Sequence, residues 1–298
     1  MKAICVGHST YDTTLPIEGF IEENKKYRIT THVECGGGPA SNGAYLLAKW
    51  GVDTIIASII GKDYFGDKIV EDFKKIGANT KYLEQRDNYE TTNSYIIANM
   101  KNGSRTIISS KREKVNALNK TITEKADVIL IDGEHPKTAM EVLENNKKAI
   151  SILDAGRVSD DTIRLGKKVT YLVCSKKFAE EFTKKMIDTR EENSMKKVHK
   201  ELEEFFKTNI IITLESAGTF TKIDDEYIRI PSIRVKSLDS TGAGDIFHGA
   251  FAYFIGNNYP LKTALRLAAI TGGISVTRIG SRYSIPTIEE VLEYDNTI

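Results

Sequence analysis

Between Asp239 and Asp245 the chain reads Asp-Ser-Thr-Gly-Ala-Gly-Asp, and it continues Ile-Phe-His-Gly-Ala-Phe to Phe251. Gly242, Ala243 and Gly244 carry almost no side chain, so the backbone can turn tightly and a ligand can approach its N–H groups closely. The run from Ile246 to Ile255 is apolar, rich in Phe and Ala, and predicts a helix. A glycine turn opening a helix aims several unpaired N–H groups, and the positive end of the helix dipole, at one point. That point suits an anion, above all the charge that develops on a phosphoryl group in transfer. Asp245 stands at its rim, where a carboxylate can take the proton of an attacking hydroxyl. The chemistry these seven residues suggest is phosphoryl transfer to an alcohol. The plainer alternative is a helix start whose first-turn carboxylate answers the dipole.

A second polar group lies near the N-terminus. Asp12 follows five residues after Gly7, and Gly36-Gly37-Gly38-Pro39-Ala40-Ser41-Asn42 leads into a predicted helix. Asn42 could serve as that helix's N-cap, with the glycines as a turn. An Asp and an Asn facing one cavity would instead present the acceptors and donors that sugar hydroxyls need. His8 and His32 could line the same cavity, and His248 lies one turn into the Asp245 helix. Trp50 and Tyr95 are expected to pack.

These residues need elements to hold them. Ala3 to Gly7, Thr54 to Ile60, Val128 to Ile131, Ile150 to Leu153, Tyr171 to Cys174 and Ile210 to Leu214 are short apolar runs that predict buried strands. Helical spacing predicts helices over Asn42 to Trp50, Phe65 to Ile76, Pro136 to Lys148, Phe178 to Phe206 and from Ile246 through Leu261 to Thr277. Strands of this kind alternating with helices predict a mostly parallel sheet covered on both faces. In such sheets ligands bind beyond the carboxyl ends of the strands. Tyr27 to Cys35 and Thr92 to Ser109 alternate in β fashion instead, with the hairpin signal Asn102-Gly103 inside the second. They predict a small separate sheet, placed to act as a lid that excludes water.

The chain has 298 residues, is 40% hydrophobic and 28% charged, and carries a formal net charge of +1. That balance supports neither a nucleic-acid nor a membrane-surface partner. The Lys/Glu-dense stretch from Lys176 to Lys207 reads as solvated helix surface. Cys5, Cys35 and Cys174 lack metal-ligand spacing and fit reduced thiols. The apolar run near Met1 is too short for a signal peptide, and no run approaches the roughly twenty residues of a membrane span. A soluble cytoplasmic protein is expected.

Taken together, these residues resemble the ribokinase-like sugar kinases, also called the phosphofructokinase B family. The resemblance covers essentially the whole chain. It rests on Gly37-Gly38-x-x-x-Asn42-x-Ala44 and on Asp239-x-Thr241-Gly242-Ala243-Gly244-Asp245 with Phe247 and Gly249 behind it. It implies one α/β domain over residues 1–298, a three-layer fold around a mostly parallel sheet, with lid strands inserted at about 12–36 and 90–110. It also implies ATP-dependent phosphorylation of a hydroxymethyl group on a small carbohydrate, using Mg²⁺ and K⁺.

Carried over by the resemblance, Asp245 is the base, and Gly242, Ala243 and Gly244 form the anion hole. Asp12, Gly37, Gly38 and Asn42 meet the sugar, and Arg105 is a lid arginine reaching the acceptor or the transferred phosphoryl. Ser175, Thr213, Glu215, Gly218 and Gly244 face the nucleotide. Asp239, Thr241, Ser275, Arg278, Gly280 and Ser284 cradle a monovalent cation, several through backbone carbonyls.

The sequence also departs from the family. Ser175-Lys-Lys-Phe178 stands where many relatives have Asn-x-x-Glu, whose Glu helps to organise Mg²⁺-bound water. Glu180 or Glu181 could replace that Glu, and Glu215 takes the place of a Gly. Such variation resembles ketohexokinase-like members, as does the wording around Ala40 to Asn42. The expected acceptor is therefore an unphosphorylated ketohexose such as fructose, or ribose. A phosphosugar would call for a further cation, which Arg28 or Lys101 could supply. A nucleoside kinase and a non-catalytic sugar or nucleotide sensor are the alternatives, and a homodimer through the lid is expected.

Overall fold

The computed structural model describes residues 1–110 and 114–297. The chain opens with β1 (Lys2–Val6), β2 (Thr10–Ile17) and β3 (Val33–Gly37), followed by α1 (Pro39–Lys49) and β4 (Asp53–Gly61). Next come α2 (Tyr64–Lys75), β5 (Asn79–Arg86), β6 (Thr92–Asn99) and β7 (Arg105–Ser109). The central part alternates β8 (Val128–Ile131), α3 (Pro136–Asn145), β9 (Ile150–Ala155), α4 (Asp160–Gly166) and β10 (Tyr171–Ser175). Two helices, α5 (Lys176–Thr183) and α6 (Glu192–Phe206), lead to β11 (Asn209–Thr213), β12 (Thr219–Ile223) and β13 (Glu226–Ile230). The last stretch is helical: α7 (Ala243–Gly256), α8 (Leu261–Ser275) and α9 (Ile288–Asp295).

Nine strands form one sheet in the order β13-β12-β11-β10-β9-β8-β1-β4-β5. It is parallel from β11 to β5, and β12 runs against its two neighbours β11 and β13. Its strands are almost wholly apolar because helices cover both faces. On one face Leu46, Phe73, Phe247, Phe251, Phe254 and Leu265 pack from α1, α2, α7 and α8. On the other, Val142, Leu165, Phe178, Val198 and Phe206 pack from α3 to α6. Each such side chain removed from water contributes about 1.5–3 kcal/mol.

The second sheet has four strands in the order β3-β2-β6-β7. The Asn102-Gly103 turn joins β6 to β7 as its residue types predict, with Gly103 at φ 70° and its N–H donated to Asn99. Two expectations need correction. The strand expected over Tyr27 to Cys35 is confined to β3, and residues 27–32 lie outside any strand. The lid strands expected from about residue 12 begin at Thr10 with β2, which keeps its pairing through Pro16, opposite Ala98 of β6. The helix expected over Phe178 to Phe206 is two helices. Lys184 turns left-handed at φ 57°, and Glu180 accepts the N–H of Ile187 in the connecting loop.

Arg282 fastens the small sheet to the main body. It is 2% exposed, donates to Ser41 Oγ at 2.8 Å and to Asp72 at 3.3 Å, and lies over the rings of Tyr45 and Phe73. Gly36, in β3, passes so close that a Cβ there would sit 2.1 Å from the guanidinium.

Candidate active site

The site forms where α1 and α7 cross above the carboxyl ends of β1 and β8. The crossing is close because glycines meet: a Cβ on Gly249 would come within 2.9 Å of Gly43 Cα. This approach lets Asn42 Nδ2 donate to Asp245 Oδ2 at 2.8 Å, although the two residues are 203 apart in sequence. Asn42 is therefore not an N-cap. Gly38 occupies that position, and Asn42 sits one turn inside the helix with its N–H donated to Gly38. The amide oxygen of Asn42 is buried and has no partner in the fold. It is an acceptor aimed where a hydroxyl could donate.

Gly242 caps α7 in the left-handed region, at φ 74°, and a Cβ there would strike Ser281. Gly244 differs: a Cβ there would meet nothing within 4 Å. Its smallness serves open space in front of the helix, not packing. The first N–H groups of α7 lack intrahelical acceptors and face that space. Asp245 is half-buried in the first turn. Burial, and then the nearby charge of Asp154, push its carboxyl up to about 7, while the Asn42 hydrogen bond, His248 and Arg105 pull the other way.

Asp12 is buried on the face of the small sheet that carries Ser94 and Ser109. Thr10 Oγ1 donates to it at 2.8 Å, and Ser94 also bonds it. A Cβ on Gly37 would collide with its carboxylate at 2.0 Å, so Gly37 leaves room for Asp12. Gly38, at φ 97°, would strike the carbonyl of His8 at 2.3 Å. Arg105 reaches from β7 to donate to Ser240 Oγ at 2.7 Å. The small sheet thus reaches the start of α7 through Arg105, beside the Asn42-bonded carboxylate of Asp245.

Residues 1–288 match the family described as pfkB family carbohydrate kinase. The chain belongs to that family. It is 26% identical to a deoxyribokinase from Salmonella typhi over 296 residues, covering 96% of this chain and 94% of that one. It is 25% identical to a ribokinase from Bacillus subtilis over 306 residues, covering 98% of this chain and 99% of that one. Its fold matches that of Arabidopsis thaliana ribokinase complexed with ribose and ATP at a TM-score of 0.80, with 20% identity over 98% of this chain and 97% of that one. As a pfkB carbohydrate kinase, it is a phosphotransferase that acts on a sugar hydroxyl.

The remaining residues singled out in this kinase divide into groups. Ser175 and Thr213 end the adjacent strands β10 and β11, and Gly218 lies just beyond them. Ser175 Oγ caps α5 by accepting the N–H of Phe178, and Phe178 itself is fully buried against Phe182 and Phe206. Glu180 Oε1 accepts the N–H of Ile187, and Glu181 is exposed on α5. Glu215 adopts φ 55°, a left-handed conformation that a Gly would take at lower cost.

Asp239 joins two loops by accepting the N–H groups of Thr241 at 2.9 Å and Gly280 at 3.0 Å. Its carboxylate is 2% exposed and pairs with no Lys, Arg or His among the described residues, and Thr241 Oγ1 is a buried atom without a partner. Ser275 closes α8, Gly280 and Ser284 lie on the loop that follows, and the Arg278 side chain turns away to Glu290. A buried carboxylate without a counter-charge, on the same loop as an unpartnered hydroxyl, is the kind of donor set that suits a monovalent cation.

His8 sits at the end of β1 beside Glu134 and Arg157. His32 is exposed just before β3, 3.7 Å from Glu34. His248 lies 3.1 Å from Asp154 and bonds Gly244 O, and burial lowers its pKa. Trp50 packs as expected, whereas Tyr95 is 49% exposed.

Sequence reasoning missed three carboxylates at strand ends. Asp132 accepts the N–H groups of His8, Ala40 and Glu134, tying β1, α1 and β8 at one point, and burial pushes it up to about 6. Asp154 is pushed up to about 8 by burial and by Asp132. Glu134 pairs with Arg157 at 3.5 Å. The available signal was their place, immediately after or at the close of apolar runs that predict parallel strands.

Proposed function

We propose that the protein transfers the γ-phosphoryl group of ATP to the hydroxymethyl oxygen of an unphosphorylated pentose. The observation that carries this reading is the Asn42–Asp245 hydrogen bond in the first turn of α7, directly after the Gly242 cap. In this reading Asp12 and Asn42 hold the sugar hydroxyls, with Gly37 and Gly38 giving the sugar room. Asp245 takes the proton as the hydroxyl oxygen attacks the γ-phosphorus. The bond to the bridging oxygen breaks, ADP leaves, and the N–H groups of Gly242 to Gly244 meet the charge in transit. Phosphoryl transfer needs mainly positioning and charge stabilisation of this kind, and one preorganised donor is worth about 3–4 kcal/mol.

Ser175, Thr213, Glu215 and Gly218 are the residues we assign to the nucleotide. Among the described residues no group of three or more His, Cys, Asp or Glu side chains is placed to hold a metal. Mg²⁺ would therefore arrive on the phosphates of ATP. K⁺ would be held by Asp239, Thr241, Ser275, Arg278, Gly280 and Ser284, where it neutralises the buried carboxylate and stiffens the anion-hole loop.

The pentose is favoured over a ketohexose by the similarity to a ribokinase and a deoxyribokinase. An unphosphorylated acceptor is our reading, and a phosphosugar, for which Arg28 or Lys101 would supply the further cation, is decided by the sugar phosphates in the assay.

The test is ADP release with Mg²⁺ across ribose, deoxyribose, fructose, their phosphates and nucleosides, with K⁺ present or replaced by tetramethylammonium. Ribose or deoxyribose should reach kcat/KM of about 10⁴ M⁻¹s⁻¹ or more, and activity should fall without K⁺. A nucleoside or fructose outrunning both pentoses would overturn the choice of acceptor.

A further inference from the structure

The small sheet touches the anion-hole loop at one residue that the reaction scheme leaves unused. Ser240 lies between Asp239 and Thr241, two positions before Gly242. Its N–H donates to the carbonyl of Gly103 at 3.2 Å, and its hydroxyl donates to the same oxygen at 2.9 Å. The hydroxyl oxygen also accepts from Arg105 Nη1 at 2.7 Å. On its other side, the Ser240 carbonyl accepts the N–H of Ala243 at 3.4 Å, the first residue of α7. Gly103 sits tightly here: at φ 70°, a Cβ would come within 2.1 Å of Ser237 Oγ. One serine therefore joins the tip of the β6–β7 hairpin to the turn that builds the anion hole.

We propose that Ser240 is a positioning residue, a latch that couples closure of the small sheet to assembly of the anion hole. When the hairpin is down, Gly103 and Arg105 hold the Ser240 loop, and the following turn presents its N–H groups in fixed directions. When the hairpin lifts, the loop loses three hydrogen bonds at once, and the N–H groups of the turn lose their fixed frame. Phosphoryl transfer is then strong only while the sheet covers the site and excludes water. The catalytic consequence rests on the kinase reading above, whereas the mechanical link does not.

The experiment compares Ser240→Ala, which removes both hydroxyl bonds and keeps the N–H, with Ser240→Thr, which keeps a hydroxyl. Hydrogen exchange without ligands is read on peptides covering residues 97–108 and 237–245. Ser240→Ala should exchange about tenfold faster in both peptides and at the wild-type rate elsewhere, with melting temperature unchanged. With the acceptor that the wild type uses, kcat should drop about tenfold while KM for ATP stays constant. ATP hydrolysed per sugar phosphorylated should rise, and Ser240→Thr should restore both. Wild-type exchange in Ser240→Ala would overturn the latch, as would faster exchange spread over the whole chain. Altered exchange in a protein that phosphorylates no sugar would leave the latch standing and sink the proposed function instead.

Discussion

Asp245 combines two properties that compete. Its place between Asn42 and the first turn of α7 stabilises the carboxylate, while burial and Asp154 oppose ionisation and push it up to about 7. A base must be ionised to accept a proton, so kcat/KM should fall as pH drops through about 7, not through the ordinary carboxylate range near 4. Asp245→Asn should keep the fold and lose about 10²–10⁴ in kcat. The linkage has the opposite sign for stability. A carboxyl raised in the fold favours the native state at low pH, and that contribution fades as pH rises from about 4 to 7. The Asn variant should therefore melt at or above the wild type at pH 8.

Two helices decide whether these groups meet. α1 and α7 approach through Gly43 and Gly249, and the Asn42–Asp245 bond exists only at that separation. Gly249→Ala places a Cβ 2.9 Å from the Gly43 backbone, and backbone cannot swing aside as a side chain can. The helices should part, at a cost of about 1–3 kcal/mol in stability. A displacement of about 1 Å at the base should cost about 100-fold in turnover. Urea denaturation and steady-state kinetics together check this, and a variant with wild-type kcat would show that the site tolerates a wider crossing.

At the scale of the whole molecule, the small sheet has two faces with different tasks. One carries Asp12, Ser94 and Arg105 over the site, and the opposite one presents the cross-strand pair Tyr95 and Ile108, at 49% and 59% exposure. Large exposed apolar side chains on a sheet are a liability unless something covers them. We propose that a second copy of this chain does so, giving a homodimer across the small sheets. Sedimentation equilibrium should show a dimer, and Tyr95→Asp with Ile108→Lys should show a monomer. A wild type that sediments as a monomer at micromolar concentration removes the proposal.

The sequence by itself determined what is local. The Gly-Ala-Gly turn, the carboxylate one residue later, the apolar strand runs and the Asn102-Gly103 hairpin follow from residue type and short-range geometry. These features pointed to Asp245 and the turn before it as the candidate site, and to the α/β architecture that the fold shows. The sequence left open whether Asn42 caps a helix or meets Asp245, because the two are far apart in the chain and both readings satisfy local rules. Tertiary structure decided that through a glycine–glycine helix crossing. It also buried Phe178, committed Glu180 to a loop N–H, gathered Asp132 and Asp154 at strand ends, and set Ser240 against Gly103. The physical reason is the same in each case. A side chain's partner is set by where elements pack, and packing is fixed by the sum of many distant contacts, which no short stretch of sequence contains.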